Sequence, residues 1–145
     1  MVIMIFFHNP YKVAFSAALP SGFTVAGSSN LNVVFSEVIT NVGEAYNGEN
    51  GFFTAPVRGV YYLRFSVMDL LNTRTMNIWL HKNGEQLMWL TEYGADGQPG
   101  YLSSGLALQL EKGDAVNLVL PASMRLWNWE RENQSTFSGF LLFPL

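Results

Sequence analysis

The 145 residues contain no cysteine and only two histidines, His8 and His81. The first absence removes disulfides, thiolate metal ligands and cysteine nucleophiles together. Charge is also sparse: Asp, Glu, Lys and Arg make up 13% of the chain, against about 25% in a typical soluble domain. The net charge is −3 and no block of Lys or Arg occurs. The electrostatic footprint of a nucleic-acid binder is therefore missing. No apolar run approaches the ~20 residues of a membrane span, so membrane insertion is not expected. The opening MVIMIFF is short and has neither a basic flank nor a small-residue cleavage site. It makes a poor secretory signal, and residues 1–11 read as a first strand or the remnant of a leader.

Catalytic signatures are missing as well. The chain has no G-x-S-x-G elbow and no H-E-x-x-H pair. Gly94, Gly97 and Gly100 do not have the spacing of a phosphate-cradling loop. The 11 carboxylates are scattered, mostly in turns, and His81 stands at the mouth of a hairpin in an exposed setting. These features imply that the protein is not an enzyme.

What is abundant is apolar and aromatic surface, at 49% and 14% of residues. A single domain of this length buries a sizeable core without a metal or disulfide. With so little charge, Ser, Thr, Asn and Gly must cover the outside, or part of it lies against another subunit.

Alternation with period two recurs along the chain, while helical periodicity is weak. In GVYYLRFSV, Tyr61, Leu63, Phe65 and Val67 share one face and Arg64 and Ser66 the other, as in a half-buried strand. Asn83-Gly84 separates two apolar runs and tolerates positive φ at both positions, which predicts a type I′ hairpin. LALQLEKGDAVNLVL repeats the plan, with EKGD as its turn. Further turn clusters at Pro20-Ser21-Gly22, 47–51 and 94–100 break the chain into short strands. The expectation is one all-β domain of roughly eight to ten strands, a sandwich rather than a closed barrel.

One ladder is more specific than composition. Phe35, Asn41, Tyr46, Phe53, Gly59, Tyr61, Leu63 and Phe65 follow one another at a spacing that resembles the complement C1q globular-head family. The one departure is Leu63, where that family usually has Phe. KVAFSAAL (12–19), GDAVNL (113–118) and STFSGFLLFPL (135–145) are also similar to family strands, and the Phe-Pro-Leu ending is similar to the cerebellin branch. The likeness covers residues 12–145, read as a single globular C1q-like domain. It implies a ten-stranded jelly-roll sandwich of the tumour necrosis factor-like type that assembles as a homotrimer. It also implies an explanation for the apolar STFSGFLLFPL. Its strand would lie in the middle of the inner sheet, with Phe137, Gly139 and Leu141 on one face and Phe140 and Leu142 on the other. One face would meet the core and the other approach neighbouring subunits, with Gly139 the place of close packing and a Trp there breaking trimers. Phe35, Tyr46, Phe53, Gly59, Tyr61, Phe65, Phe137, Gly139 and Phe140 are accordingly assigned to core and trimer packing.

No collagen-like Gly-X-Y repeat occurs within these residues, so the resemblance implies a head trimer without stalk-bundled assembly. No cofactor is expected. Family calcium sites place an acidic residue close before a Ser-Gly step, and this chain has Leu102 or Ser103 there. Glu92 and Asp96 are the carboxylates of the corresponding loop, Asp96 being the better ligand.

RLWNWER (125–131) is the binding candidate that stands on residue chemistry. In extended form Arg125, Trp127, Trp129 and Arg131 fall on one face, and Trp and Arg are the types most enriched in binding hot spots. Such a face suits sugars or anionic groups. The alternative is that the tryptophans cover the end of the sandwich or a subunit boundary. Asn133-Gln134-Ser135 is an N-x-S glycosylation acceptor. Two functions follow from the resemblance. One is a secreted, extracellular recognition module of innate immunity, binding microbial, glycan or altered-self surfaces. The other is a cerebellin-like signalling ligand for a cell-surface receptor. The lack of the cysteines that usually link cerebellin trimers favours the first.

Overall fold

The computed structural model describes residues 11–70, 75–94 and 97–145. All regular structure in them is β: β1 (Ala14–Ala18), β2 (Gly22–Val25), β3 (Leu31–Asn32), β4 (Glu37–Val42), β5 (Phe53–Thr54), β6 (Gly59–Asp69), β7 (Met76–Lys82), β8 (Glu85–Glu92), β9 (Gly100–Leu110), β10 (Ala115–Leu120), β11 (Arg125–Asn128) and β12 (Thr136–Pro144). The reading of residues 1–11 falls, apart from Tyr11, outside the described residues. So do His8 and Asp96.

The strands form two antiparallel sheets. In the seven-stranded sheet, β9 pairs along one edge of β6, while β12 and β11 share its other edge. From there β12 leads on to β1 and β4, and β11 to β2. In the five-stranded sheet β10 lies between β7 and the short strands β3 and β5, and β8 flanks β7. The described residues hold twelve segments rather than ten because β3 and β5 are two-residue ladders laid end to end along β10.

Local sequence accounts for the pairing. Asn83 and Gly84 adopt φ of 51° and 80°, the doubly positive geometry of a type I′ turn, and β7 and β8 pair on either side. Lys112-Gly113 turns as expected, yet it closes no hairpin: β9 pairs with β6 and β10 with β7, so the turn carries the chain from one sheet to the other. Alternation reports which face of a strand is buried but not which strand lies beside it.

The core lies between the sheets. Phe35, Tyr46, Phe53, Tyr61, Leu63, Phe65 and Phe137 are all buried in it. Phe15 stacks on Tyr46 at 4.8 Å and on Phe53 at 5.2 Å, and meets Phe137 edge-on at 5.0 Å. Gly59 pairs with Pro144, and a Cβ there would meet the carbonyl oxygen of Phe143 at 2.8 Å. Its lack of a side chain is what lets the end of β12 close onto β6.

The phenol of Tyr46 donates to the carbonyl of Phe35 at 2.8 Å and accepts from the Phe35 N–H at 3.1 Å. It therefore satisfies both backbone groups of a buried residue outside any strand. Burial pushes its pKa up to about 12, the hydrogen bond to Phe35 opposing the shift. Because the folded state holds the neutral phenol, this stabilisation is complete below pH 10 and is lost as pH rises toward 12. Tyr46→Phe strands both Phe35 groups and is expected to cost about 2 kcal/mol at pH 7. Urea denaturation checks it: the variant's stability should also fall less than the wild type's between pH 9 and 11.

Candidate functional site

β11 sets the geometry of the Trp–Arg stretch. Its inward residues Leu126 and Asn128 are buried, and Arg125 and Trp127 point outward. They stand beside two side chains of β2, since Arg125 pairs with Val25 and Trp127 with Phe23. Phe23 meets Trp127 edge-on at 4.8 Å, and the Arg125 guanidinium lies 4.9 Å from the Phe23 ring centre. Arg125 Nε also donates to both carboxylate oxygens of the buried Asp69, at 3.0 and 3.1 Å. Its charge is thus largely spent on Asp69, and what the surface presents here is the Phe23–Trp127 pair.

The extended chain ends at Asn128. The Asn128 carboxamide turns inward, donating to the Leu19 carbonyl at 2.8 Å and accepting from Ser135 N–H at 3.1 Å. The Trp129 carbonyl then accepts from the backbone N–H groups of Glu132 and Asn133, which closes a turn. Trp129 is exposed, and the Arg131 guanidinium lies 5.7 Å from its ring centre. The expectation of four residues on one strand face is therefore corrected. Arg125 and Trp127 share the strand face, whereas Trp129 and Arg131 form a second pair in the turn that follows. Asn133 is exposed in that turn with φ 49°. Ser135 of the same acceptor is buried, its hydroxyl donating to the Trp127 carbonyl.

A second surface lies on the outward face of the seven-stranded sheet. Phe137 and Gly139 of β12 point into the core, and Leu141 packs against it. Phe140 points outward, 43% exposed, with its ring 5.8 Å from Tyr62 on β6. Leu142 and Phe143 are exposed just beyond a register shift. Beside Phe140 is a depression of about 310 Å³ whose lining includes Ala14, Ser16, Thr40, Tyr62, Arg64 and Ser138. Arg64 is the one charged residue of that lining, and it donates to Ser103 Oγ at 2.9 Å.

The structure corrects the role given to Gly139. A Cβ there would meet Leu63 Cδ2, the Tyr62 carbonyl oxygen and Phe15 Cε1, at 2.5, 2.9 and 3.0 Å. Leu63 and Phe15 are core residues, so a side chain at Gly139 would point into the core and bulk there acts on folding. Outward contacts of β12 fall to Phe140 instead.

The remaining candidates are separate from these surfaces. Glu92 Oε2 accepts from the Tyr101 N–H at 3.0 Å. Among the described residues no three His, Asp or Glu side chains gather as a metal site would require. His81 is half-buried rather than fully exposed, its ring parallel to that of Trp79 at 6.1 Å. Sequence reasoning missed Phe23 and Asp69, the partners of Trp127 and Arg125. Neither is near them in the chain, and no local pattern pairs β2 with β11.

Comparison with known proteins agrees with this architecture. The family model described as C1q domain matches residues 14–142. Complement C1q tumor necrosis factor-related protein 3 of Mus musculus and of Homo sapiens are each 33% identical to the chain over 132 residues, 91% of this chain and 52% of the relative. The chain thus spans about half the length of the curated relatives it matches. Among solved structures, the globular domain of zebrafish complement 1qA protein aligns with a TM-score of 0.73 at 20% identity, covering 93% of this chain and 100% of that one. Eiger TNF from S. frugiperda aligns with a TM-score of 0.72 at 18% identity, covering 92% and 94%. Murine APRIL does so at 0.69 and 15%, covering 91% and 100%. At such identities these likenesses establish a shared jelly-roll fold.

Proposed function

The chain belongs to the C1q domain family, and on that premise we propose that it is a non-enzymatic, secreted, trimeric recognition module that binds glycan, microbial or altered-self surfaces. The observation that carries the assembly is the outward face of β12. A monomer would leave Phe140, Leu142 and Phe143 in water beside an almost uncharged depression. Apolar surface of this kind is normally covered by a partner, and a closed cyclic homo-oligomer covers it on every copy. Three copies of a weak site on one rigid head then raise binding through effective concentration. Phe23, Trp127 and the turn with Trp129 and Arg131 supply one such site on the rim of the sheet.

Light scattering tests the assembly. The wild-type mass is expected at three times 16.2 kDa. Phe140→Asp, which adds a charge outside the core, is expected to return it to 16.2 kDa with the fold intact by circular dichroism. A wild-type monomer would refute the trimer.

A further inference from the structure

We propose that the outward face of the five-stranded sheet is a platform for an uncharged sugar ring, with Trp79 and Trp89 as its floor and Asn77 and Thr91 as its hydrogen-bonding rim. The inference rests on the recognition-module reading and names a site and a ligand class within it. Trp79 and Trp89 are direct cross-strand partners on β7 and β8. Their ring centres are 5.8 Å apart with planes at 74°, and Trp89 is 56% exposed. Two indoles are a large apolar surface to leave in water on a sheet face.

The polar groups around them are already oriented. Asn77 Oδ1 accepts from Trp89 Nε1 at 3.1 Å and from Thr91 Oγ1 at 2.7 Å. This fixes the Trp89 ring and leaves the Thr91 hydroxyl oxygen with acceptor capacity. On the far side of Trp79, the buried Asn117 sits opposite His81 in register. Trp79 Nε1 is a buried donor without a hydrogen-bond partner, the one such side-chain atom among the described residues. An unmet buried donor is costly, and a hydroxyl or ring oxygen that reached it would satisfy it.

Charge selects the ligand class. The charged side chains of β7, β8 and β10 are Lys82, Glu85 and Glu92, all at strand ends. Between them the face alternates indole, imidazole, amide and hydroxyl. A pyranose matches this pattern at the scale of one ring: its apolar C–H face lies on an indole, and its equatorial hydroxyls donate to Thr91 Oγ1 and accept from the second Nδ2 hydrogen of Asn77, whose first is directed at Met124 Sδ at 3.8 Å. Acidic sugars and phosphates would find no Lys or Arg in the middle of the face. The platform is on the opposite sheet from Phe140, so trimer formation through β12 leaves three copies free.

The test is binding of the full chain to an array of neutral oligosaccharides built from glucose, galactose, mannose and N-acetylhexosamine units, with sulfated glycans as the acidic control. Binding to neutral glycans is expected, falling at least about tenfold in Trp89→Ala and largely kept in Trp89→Tyr. Ile39→Ser, an exposed position on β4 of the other sheet, is expected to retain it, and the double variant Trp127→Ala/Trp129→Ala is measured beside it to separate the two candidate surfaces. Thermal melting checks that each variant is folded. No binding to any neutral glycan, preference for the sulfated ones, or loss in the Trp127/Trp129 variant but not in Trp89→Ala would each overturn the platform. So would a Trp89-dependent interaction found only with a protein receptor. Preference for sulfated glycans and loss at Trp127/Trp129 leave the recognition-module reading standing, a receptor-only interaction strikes it in favour of a signalling ligand, and a monomeric mass would strike the trimer and not the platform.

Discussion

Phe137→Ala is expected to destabilise the protein by about 4 kcal/mol, near the top of the range for truncating a buried aromatic. Phe137 is fully buried, and its ring meets Phe15 at 5.0 Å, Phe35 at 5.7 Å and Tyr46 at 6.0 Å. Those three rings come from three separate parts of the chain, so truncation removes the group that joins them. The neighbours are held too firmly to collapse into the space. Tyr46 is tied by two hydrogen bonds to Phe35, and Phe15 is flanked by Tyr46 and Phe53. A cavity therefore remains and its cost adds to the lost transfer energy. With total stabilities of about 5–15 kcal/mol for single domains, such a loss takes a large share. Urea titration followed by tryptophan fluorescence measures it, and a loss below about 1.5 kcal/mol would mean that the core relaxes around the gap.

Gly139→Val acts in the opposite sense, by overfilling, and is expected to cost at least about 3 kcal/mol. The smallest added group already meets Leu63 and Phe15 on the core side. The Tyr62 carbonyl oxygen at 2.9 Å is backbone within β6 and has nowhere to go. Valine adds two further methyls to that contact. The decisive measurement is the cycle of Gly139→Ala, Leu63→Ala and the double variant Gly139→Ala/Leu63→Ala. If the clash is with Leu63, the double variant should be more stable than the sum of the single losses predicts. An additive pair with an altered solution mass would return Gly139 to a subunit boundary.

Gly139 also marks how far a sequence can be followed. Alternation places it with Phe137 and Leu141, which the structure bears out, but a glycine in a strand does not reveal whether its own chain or another fills the space. The aromatic ladder was legible because each aromatic member is buried in the core and most of its neighbours in the chain are not. The Trp–Arg stretch was only half legible. Extension of residues 125–131 is broken by Asn128, whose carboxamide bonds Leu19 and Ser135, partners 109 and 7 residues away. The Trp79–Trp89 pair was hidden for a subtler reason. A two-residue turn at Asn83-Gly84 aligns Lys82 with Glu85 and His81 with Gln86, and continued regularly it would put Trp79 opposite Met88. The register shift between Leu80 and His81 moves Trp89 into that place. Bulges answer to packing across a whole sheet, so the hairpin's own sequence did not announce this one.

The position of β12 also governs how the molecule comes together in time. It pairs with β1 on one side and β6 on the other, Ala14 facing Phe140 across nearly the whole chain. Contacts of such separation make folding slow, since the chain entropy of closing a long loop is spent before any contact repays it. Until β12 docks, β1 and β6 each present an unpaired edge, and the aromatic cluster lacks Phe137. During that interval the open edges can recruit strands from other molecules. Refolding yield should therefore fall with protein concentration, and the insertion of β12 is the step that ends the exposure.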